Sequence, residues 1–142
     1  MEAAYKLVLQ YFQLIGKPDR KLVIAREQSY HGTTLAALSI GGHRTRRQPF
    51  NDVLTETYHV SPCNPYRDMR EGETKDMYVL RLKQELRRKF QELGPENVGA
   101  FIAEPVVGAV SFALFLASRT VIQVWLLVRR RIILWLHKAR HA

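Results

Sequence analysis

Residues 21–43 read KLVIAREQSYHGTTLAALSIGGH. The opening KLVIA (21–25) is a short apolar run of strand type. A polar turn follows, Ser29-Tyr30-His31-Gly32. Residues 32–40, GTTLAALSI, then form a helix candidate, closed by the pair Gly41-Gly42. Strand, turn and helix in this order make the first half of a βαβ unit.

The flanking sequence continues the alternation. Residues 2–15 place Ala4, Leu7, Val8, Phe12 and Ile15 at helical spacing, and Gly16 with Pro18 supplies a stop. Residues 43–52, which contain Pro49, read as a polar, basic loop, and 57–60 as a short strand. A second loop is expected over 61–73, around Pro62, Asn64 and Pro65. Residues 76–93 carry the strongest helical signal, with Val79, Leu82, Leu86, Phe90 and Leu93 on one stripe and Gly94-Pro95 at the end. The run VGAFIA (98–103) is a buried-strand pattern followed by Glu104-Pro105. Helices and strands that alternate in this way predict an α/β fold, a mostly parallel sheet flanked by helices. Ligands of such sheets sit beyond the carboxyl ends of the strands. Two segments fall there: 29–32 after the first strand and Glu104-Pro105 after the last.

Composition narrows the function classes. The 142 residues amount to one domain, 46% hydrophobic and 25% charged, with no resemblance to a secretory signal at the start. Cys63 is the only cysteine, which excludes an internal disulfide and a cysteine-built zinc site. The net charge of +9 is uneven: all 13 acidic residues precede Pro105, and the last 38 residues hold six basic residues and no acid. Without an aromatic-basic array or zinc-finger spacing, the basicity does not point to nucleic acid.

The texture changes after Glu104. Residues 105–118 are uncharged, Arg119 interrupts them, and an apolar run leads to Arg129-Arg130-Arg131. A membrane anchor over 106–136 is the alternative reading of this stretch. Against it, the longest charge-free run falls short of the roughly 18–20 residues that a spanning helix needs.

Single residues near the two strand ends have plain readings too. Tyr30 can be a packed turn residue and His31 a polar one, while Glu104-Pro105 can simply end a strand, because proline cannot continue a central ladder. Arg44, Arg46 and Arg47 read as a solvated loop. In combination, however, three stretches resemble the class III aminotransferases, pyridoxal-phosphate-dependent enzymes of fold type I. MEAAYKLVLQYF (1–12) is similar to the helix after that family's phosphate-binding turn. Residues 21–43 are similar to its strand, cofactor-stacking turn and next helix, and NVGAFIAEPVVGA (97–109) to the strand that ends in Glu-Pro.

The resemblance implies that residues 1–109 are part of the large domain of such an enzyme. It implies pyridoxal 5'-phosphate as cofactor, with Tyr30, His31, Gly32 and Glu104 at the cofactor. Tyr30 would supply an aromatic plane for the pyridine ring, Gly32 close backbone approach, and Glu104 a carboxylate at the strand end. Amino acid and keto acid substrates, a homodimer or association with a full-length relative, and a cytoplasmic or mitochondrial location follow in the same way. The family's Schiff-base lysine motif and its Asp-Glu-Val strand for the pyridine nitrogen have no match in these 142 residues. A truncated chain, inactive alone, is therefore expected, with no catalytic residue of its own. Val110-Ser111 is the dipeptide that a common splice-donor sequence encodes in frame. Residues 110–142 are accordingly expected to be translated intron or a helical tail outside the family.

Overall fold

The computed structural model describes residues 1–104. Its centre is β1 (Leu22–Arg26), which pairs in parallel with β2 (Tyr58–Val60) on one side and β3 (Val98–Ile102) on the other, in the order β2-β1-β3. Both crossovers are helical. Helices α2 (Leu35–Ile40) and α3 (Arg44–Arg47) and a 3-10 helix (Gln48–Val53) join β1 to β2; α4 (Pro65–Asp68) and α5 (Lys75–Leu93) join β2 to β3. Helix α1 (Glu2–Leu14) precedes them.

The apolar run of β1 has a physical cause in this topology, since a central parallel strand is covered on both faces. Val23 and Ala25 cluster with Ile40 of α2, against Tyr5 of α1 and Ile102 of β3. Ile24, one residue out of phase, clusters with Val60 and Val98, against Leu86, Phe90 and Leu93 of α5. The result is three layers, with α1 and α2 on one face and α5 on the other. Gly99 is the extra residue of a β-bulge, because Leu22 pairs with Val98 while Val23 pairs with Ala100. A Cβ on Gly99 would lie 2.6 Å from the Arg20 carbonyl oxygen and 3.0 Å from Val8 Cγ1. Glycine there lets α1 and the turn before β1 close onto the sheet.

Helix α5 is built as its pattern predicts. Thr74 caps it, accepting from the Met77 amide at 3.3 Å, and Gly94 ends it. Its most buried residue is Tyr78, which lies outside the predicted stripe. The Tyr78 hydroxyl donates to the Pro62 carbonyl (3.3 Å) and accepts from the Asn64 amide (2.9 Å), so it pins the chain just after β2. Burial pushes its pKa up to about 12. Arg81 forks onto the Glu73 carboxylate at 2.8 and 2.9 Å and reaches the Asp68 carbonyl at 2.9 Å.

Three sequence expectations are corrected. The expected loop over 43–52 is α3 and the 3-10 helix, and the expected loop over 61–73 contains α4. In both, proline stands at the start of a short helix, where its missing N–H costs nothing. On α1 the inner face is turned from the expected one: Tyr5 and Val8 meet the sheet, while Leu7 is 65% exposed. The second helix starts at Leu35, because residues 32–34 belong to the turn. Among the described residues no helix is long and apolar enough to cross a membrane. The anchor reading over 106–136 and the tail over 110–142 lie outside the described residues.

The Glu73 fork carries a pH signature. Hydrogen bonds from Arg81, then from the Arg70 amide, hold the Glu73 carboxyl down to about 2, below its ordinary 4.5. A depressed folded pKa stabilises above the unfolded value and loses that contribution as pH falls through the folded one. The stability gap between the parent chain and Glu73→Gln, measured by urea unfolding, is therefore expected to be constant above about pH 5 and to close between about pH 4.5 and 2. A gap independent of pH over that window would show that the carboxylate is not held by the fork.

Candidate functional site

The carboxyl ends of β1 and β3 carry the two segments expected at a ligand, and one hydrogen bond joins them. The Tyr30 amide donates to Glu104 Oε1 at 2.5 Å, across 74 residues of chain. The second oxygen, Glu104 Oε2, is buried and has no hydrogen-bond partner among the described residues, and the same holds for His31 Nε2, His43 Nδ1 and Asp68 Oδ2. Buried polar atoms are ordinarily satisfied, so Glu104 Oε2 and His31 Nε2 are two polar atoms at this end of the sheet with capacity for a further bond.

The turn is held from behind. Leaving β1, the chain makes a left-handed residue at Gln28 (φ 56°), the one non-glycine with positive φ among the described residues. Gly42 offsets that cost: its carbonyl accepts from the Gln28 amide (3.1 Å), and its own amide donates to the Ser29 carbonyl (3.1 Å) and hydroxyl (3.2 Å). The buried Ser29 hydroxyl donates onward to the Arg26 carbonyl at 2.6 Å. Gly42 therefore lies flat against the backbone of residues 26–28. A Cβ there would overlap the Arg26 carbonyl oxygen and lie 2.6 Å from Glu27 Cα. Gly32 has φ +132°, a conformation that side chains rarely adopt, and its Cβ position is 3.0 Å from Ala37 Cβ.

The four sequence-predicted residues thus come together: Tyr30, His31 and Gly32 are consecutive on one turn, and Glu104 bonds to it. The sequence reading missed what surrounds them. The Arg46 guanidinium lies over the Tyr30 ring, 4.7 Å from its centroid. His59 is near enough to His31 to act on its charge. Burial lowers the His31 pKa, and His59 lowers it further; burial likewise lowers His59, which a hydrogen bond to the Ile40 carbonyl partly opposes. Both imidazoles are thereby favoured in the neutral form. Of the three arginines expected in solvent, Arg44 stays exposed beside Glu27 at 3.6 Å, and Arg47 turns inward onto the carbonyls that end α2. Gly41-Gly42 was legible as a helix stop, but nothing in the sequence signalled its contact with residues 26–29. Among the described residues no group of three His, Cys, Asp or Glu could hold a metal ion.

Known proteins share this sequence and fold. A family model described as aminotransferase class-III matches residues 1–118. An uncharacterized aminotransferase of Schizosaccharomyces pombe is 51% identical over 110 residues, 77% of this chain and 24% of that protein. The mitochondrial gamma-aminobutyrate transaminase 1 of Oryza sativa subsp. indica is 38% identical over 108 residues, 76% of this chain and 21% of that protein. Among solved structures, the omega transaminase from Pseudomonas jessenii in complex with PMP superposes with a TM-score of 0.77 at 32% identity, over 87% of this chain and 28% of that one. A PLP-bound aminotransferase mutant from Vibrio fluvialis gives 0.78 at 27% identity, over 91% and 28%.

The sheet and its helices share the fold of part of a domain of pyridoxal-phosphate-dependent transaminases. The chain belongs to the class-III aminotransferase family, whose cofactor is pyridoxal 5'-phosphate. It spans about a quarter of the length of the curated relatives it matches.

Two adjacent glycines test the geometry. Gly42→Ala is expected to cost about 1–3 kcal/mol, because the methyl group meets backbone that cannot move aside. Gly41→Ala, with φ −61° and no atom nearer than 3.4 Å, is expected to cost under about 1 kcal/mol. Urea unfolding of the two variants checks the contrast, and equal costs would contradict the close approach at Gly42.

Proposed function

We propose that residues 1–104 form one wall of a pyridoxal 5'-phosphate site and that the whole protein of which this fold is a part transfers an amino group from an amino acid or amine to a keto acid. The observation that carries this reading is the bond between the Tyr30 amide and Glu104, which brings the turn after β1 and the end of β3 to one place. Tyr30 offers its ring as a flat partner for a pyridine. Gly32 brings backbone close without a Cβ. Glu104 Oε2 is an open acceptor, and His31 Nε2 is an open polar atom beside it. When bound, the cofactor supplies the electron sink for amino transfer; these residues hold and orient it and cover it from water.

No lysine of these 142 residues sits in the family's Schiff-base motif, and no Asp-Glu-Val strand is present. The proton-moving lysine and the acidic partner of the ring nitrogen are therefore assigned to polypeptide outside these 142 residues, and a full-length relative associated with this chain would carry both. The apolar side chains that α1 leaves on the surface, Leu7 at 65% and Leu14 at 83% exposed, support such association. A cytoplasmic or mitochondrial location accords with the mitochondrial relatives.

Pyridoxamine 5'-phosphate tests the wall itself, since it lacks the aldehyde that reacts with surface lysines. The parent chain is expected to bind it, read by calorimetry, and Tyr30→Ala to weaken binding about tenfold, in line with about 1.4 kcal/mol for a lost stacking partner. The purified chain is expected to give no product from an amino donor and a keto acid with added cofactor. Equal binding by Tyr30→Ala would remove Tyr30 from the site, and turnover by the chain alone would refute the need for a second polypeptide.

A further inference from the structure

Helix α2 has six residues and ends without a left-handed cap, since Gly41 is extended at φ −61° and ψ 139°. The last carbonyls of a helix have no partner within it and must find one elsewhere. Here the Gly41 amide donates to the Ala37 carbonyl at 3.0 Å, and three side chains from outside the helix take the carbonyls that follow. Arg47 Nη1 donates to the Ser39 carbonyl, to the Gly41 carbonyl at 2.8 Å and, at the limit of bonding, to Leu38 at 3.5 Å. The Thr57 hydroxyl also donates to the Ser39 carbonyl. His59 Nε2 takes the Ile40 carbonyl at 3.0 Å. The Ser39 hydroxyl, fully buried, bonds back to the Leu35 carbonyl (2.7 Å) and accepts from the Thr55 amide (2.9 Å), tying the incoming segment of β2 to the same turn.

The consequence reaches the site through one residue. Gly41 leads directly into Gly42, and Gly42 makes the three hydrogen bonds, two to backbone and one to the Ser29 hydroxyl, that hold Gln28 and Ser29. Tyr30 and His31 follow Ser29 with no residue between. All three contacts come from one guanidinium nitrogen, Nη1, which the planar group holds in a fixed direction; its two hydrogens serve the Ser39 and Gly41 carbonyls. Lysine keeps the charge but carries its donors on a flexible stem without that plane.

We propose that Arg47 is a positioning residue of the cofactor site: by gathering the carbonyls of Leu38, Ser39 and Gly41 it fixes Gly42 against residues 26–29 and so sets the Tyr30-His31-Gly32 turn. It touches no cofactor and acts only through α2. The assignment rests on the cofactor reading above, and the experiment separates the two. In the ligand-free parent chain, amide exchange by nuclear magnetic resonance reports the geometry directly. Arg47→Lys is expected to speed exchange of the Gly42 and Tyr30 amides about tenfold or more, while the sheet amides of Ile24 and Ala25 keep their protection. In the same variant, affinity for pyridoxamine 5'-phosphate is expected to fall about tenfold or more, as when a group that orients a binding residue is removed. Thr57→Val, which takes one donor from the same turn, is expected to move the same two amides by less.

If the parent chain fails to bind pyridoxamine 5'-phosphate, the cofactor reading falls, and the amide exchange still decides the geometric role of Arg47. If Arg47→Lys speeds exchange in the sheet and at Gly42 and Tyr30 alike, Arg47 is general support and the proposal is overturned. Unchanged exchange at Gly42 and Tyr30 overturns it as well. Should Arg47→Lys not fold, Thr57→Val carries the test alone, and the same selective pattern at Gly42 and Tyr30 is required of it.

Discussion

A carboxylate at the end of one strand accepts a hydrogen bond from the backbone of the turn after another, and the rest of the site depends on that bond. Glu104 ends β3, Tyr30 follows β1, and the two strands are neighbours in the sheet. The bond is possible only because β3 adds to β1 on the side away from β2. That arrangement needs the long return of α5, packed through Leu86, Phe90 and Leu93 onto the face opposite α1 and α2. A charged acceptor makes the stronger kind of hydrogen bond to an amide. With one oxygen bonded to the turn, the other is buried and has no hydrogen-bond partner among the described residues.

The turn itself is a mild strain relieved by contacts. Gln28 sits in a left-handed conformation, a cost that the Gly42 carbonyl repays with a hydrogen bond. Gly42 can be that close because it lacks a Cβ and because α2 ends where it does. The end of α2 is in turn set by Arg47, Thr57 and His59, which come from the crossover and from the edge of β2. Each layer thus contributes to the site: the sheet supplies the two ends, the helix its direction, and the crossover the polar groups that stop the helix. Burial also inclines His31 and His59 to the neutral form.

Much of this was legible from residue pattern. KLVIA announced a strand, VGAFIA a buried one, and the stripe on 76–93 announced α5, because apolar patterning is what burial selects. The four residues at the strand ends were legible as a group only through the family resemblance; singly, each had an ordinary explanation. What the pattern hid is instructive in physical terms. The segment with Arg44, Arg46 and Arg47 looked solvated, since a side chain that bonds backbone carbonyls leaves no periodic trace. Arg47 and Arg44 have the same chemistry in sequence and opposite fates in the fold. Pro49 and Pro65 looked like loop markers, though both open short helices. Tyr78 escaped the α5 stripe because its hydroxyl, rather than its ring alone, fixes its position.

The central claim is that the Glu104 carboxylate holds the Tyr30 amide. Nuclear magnetic resonance can follow the exchange of the Tyr30 amide in the intact chain and in Glu104→Ala. The account predicts that the Tyr30 amide loses its protection about tenfold or more in Glu104→Ala, while the sheet amides of Ile24 and Ala25 keep theirs. A Tyr30 amide that exchanges at the same rate in both would contradict it.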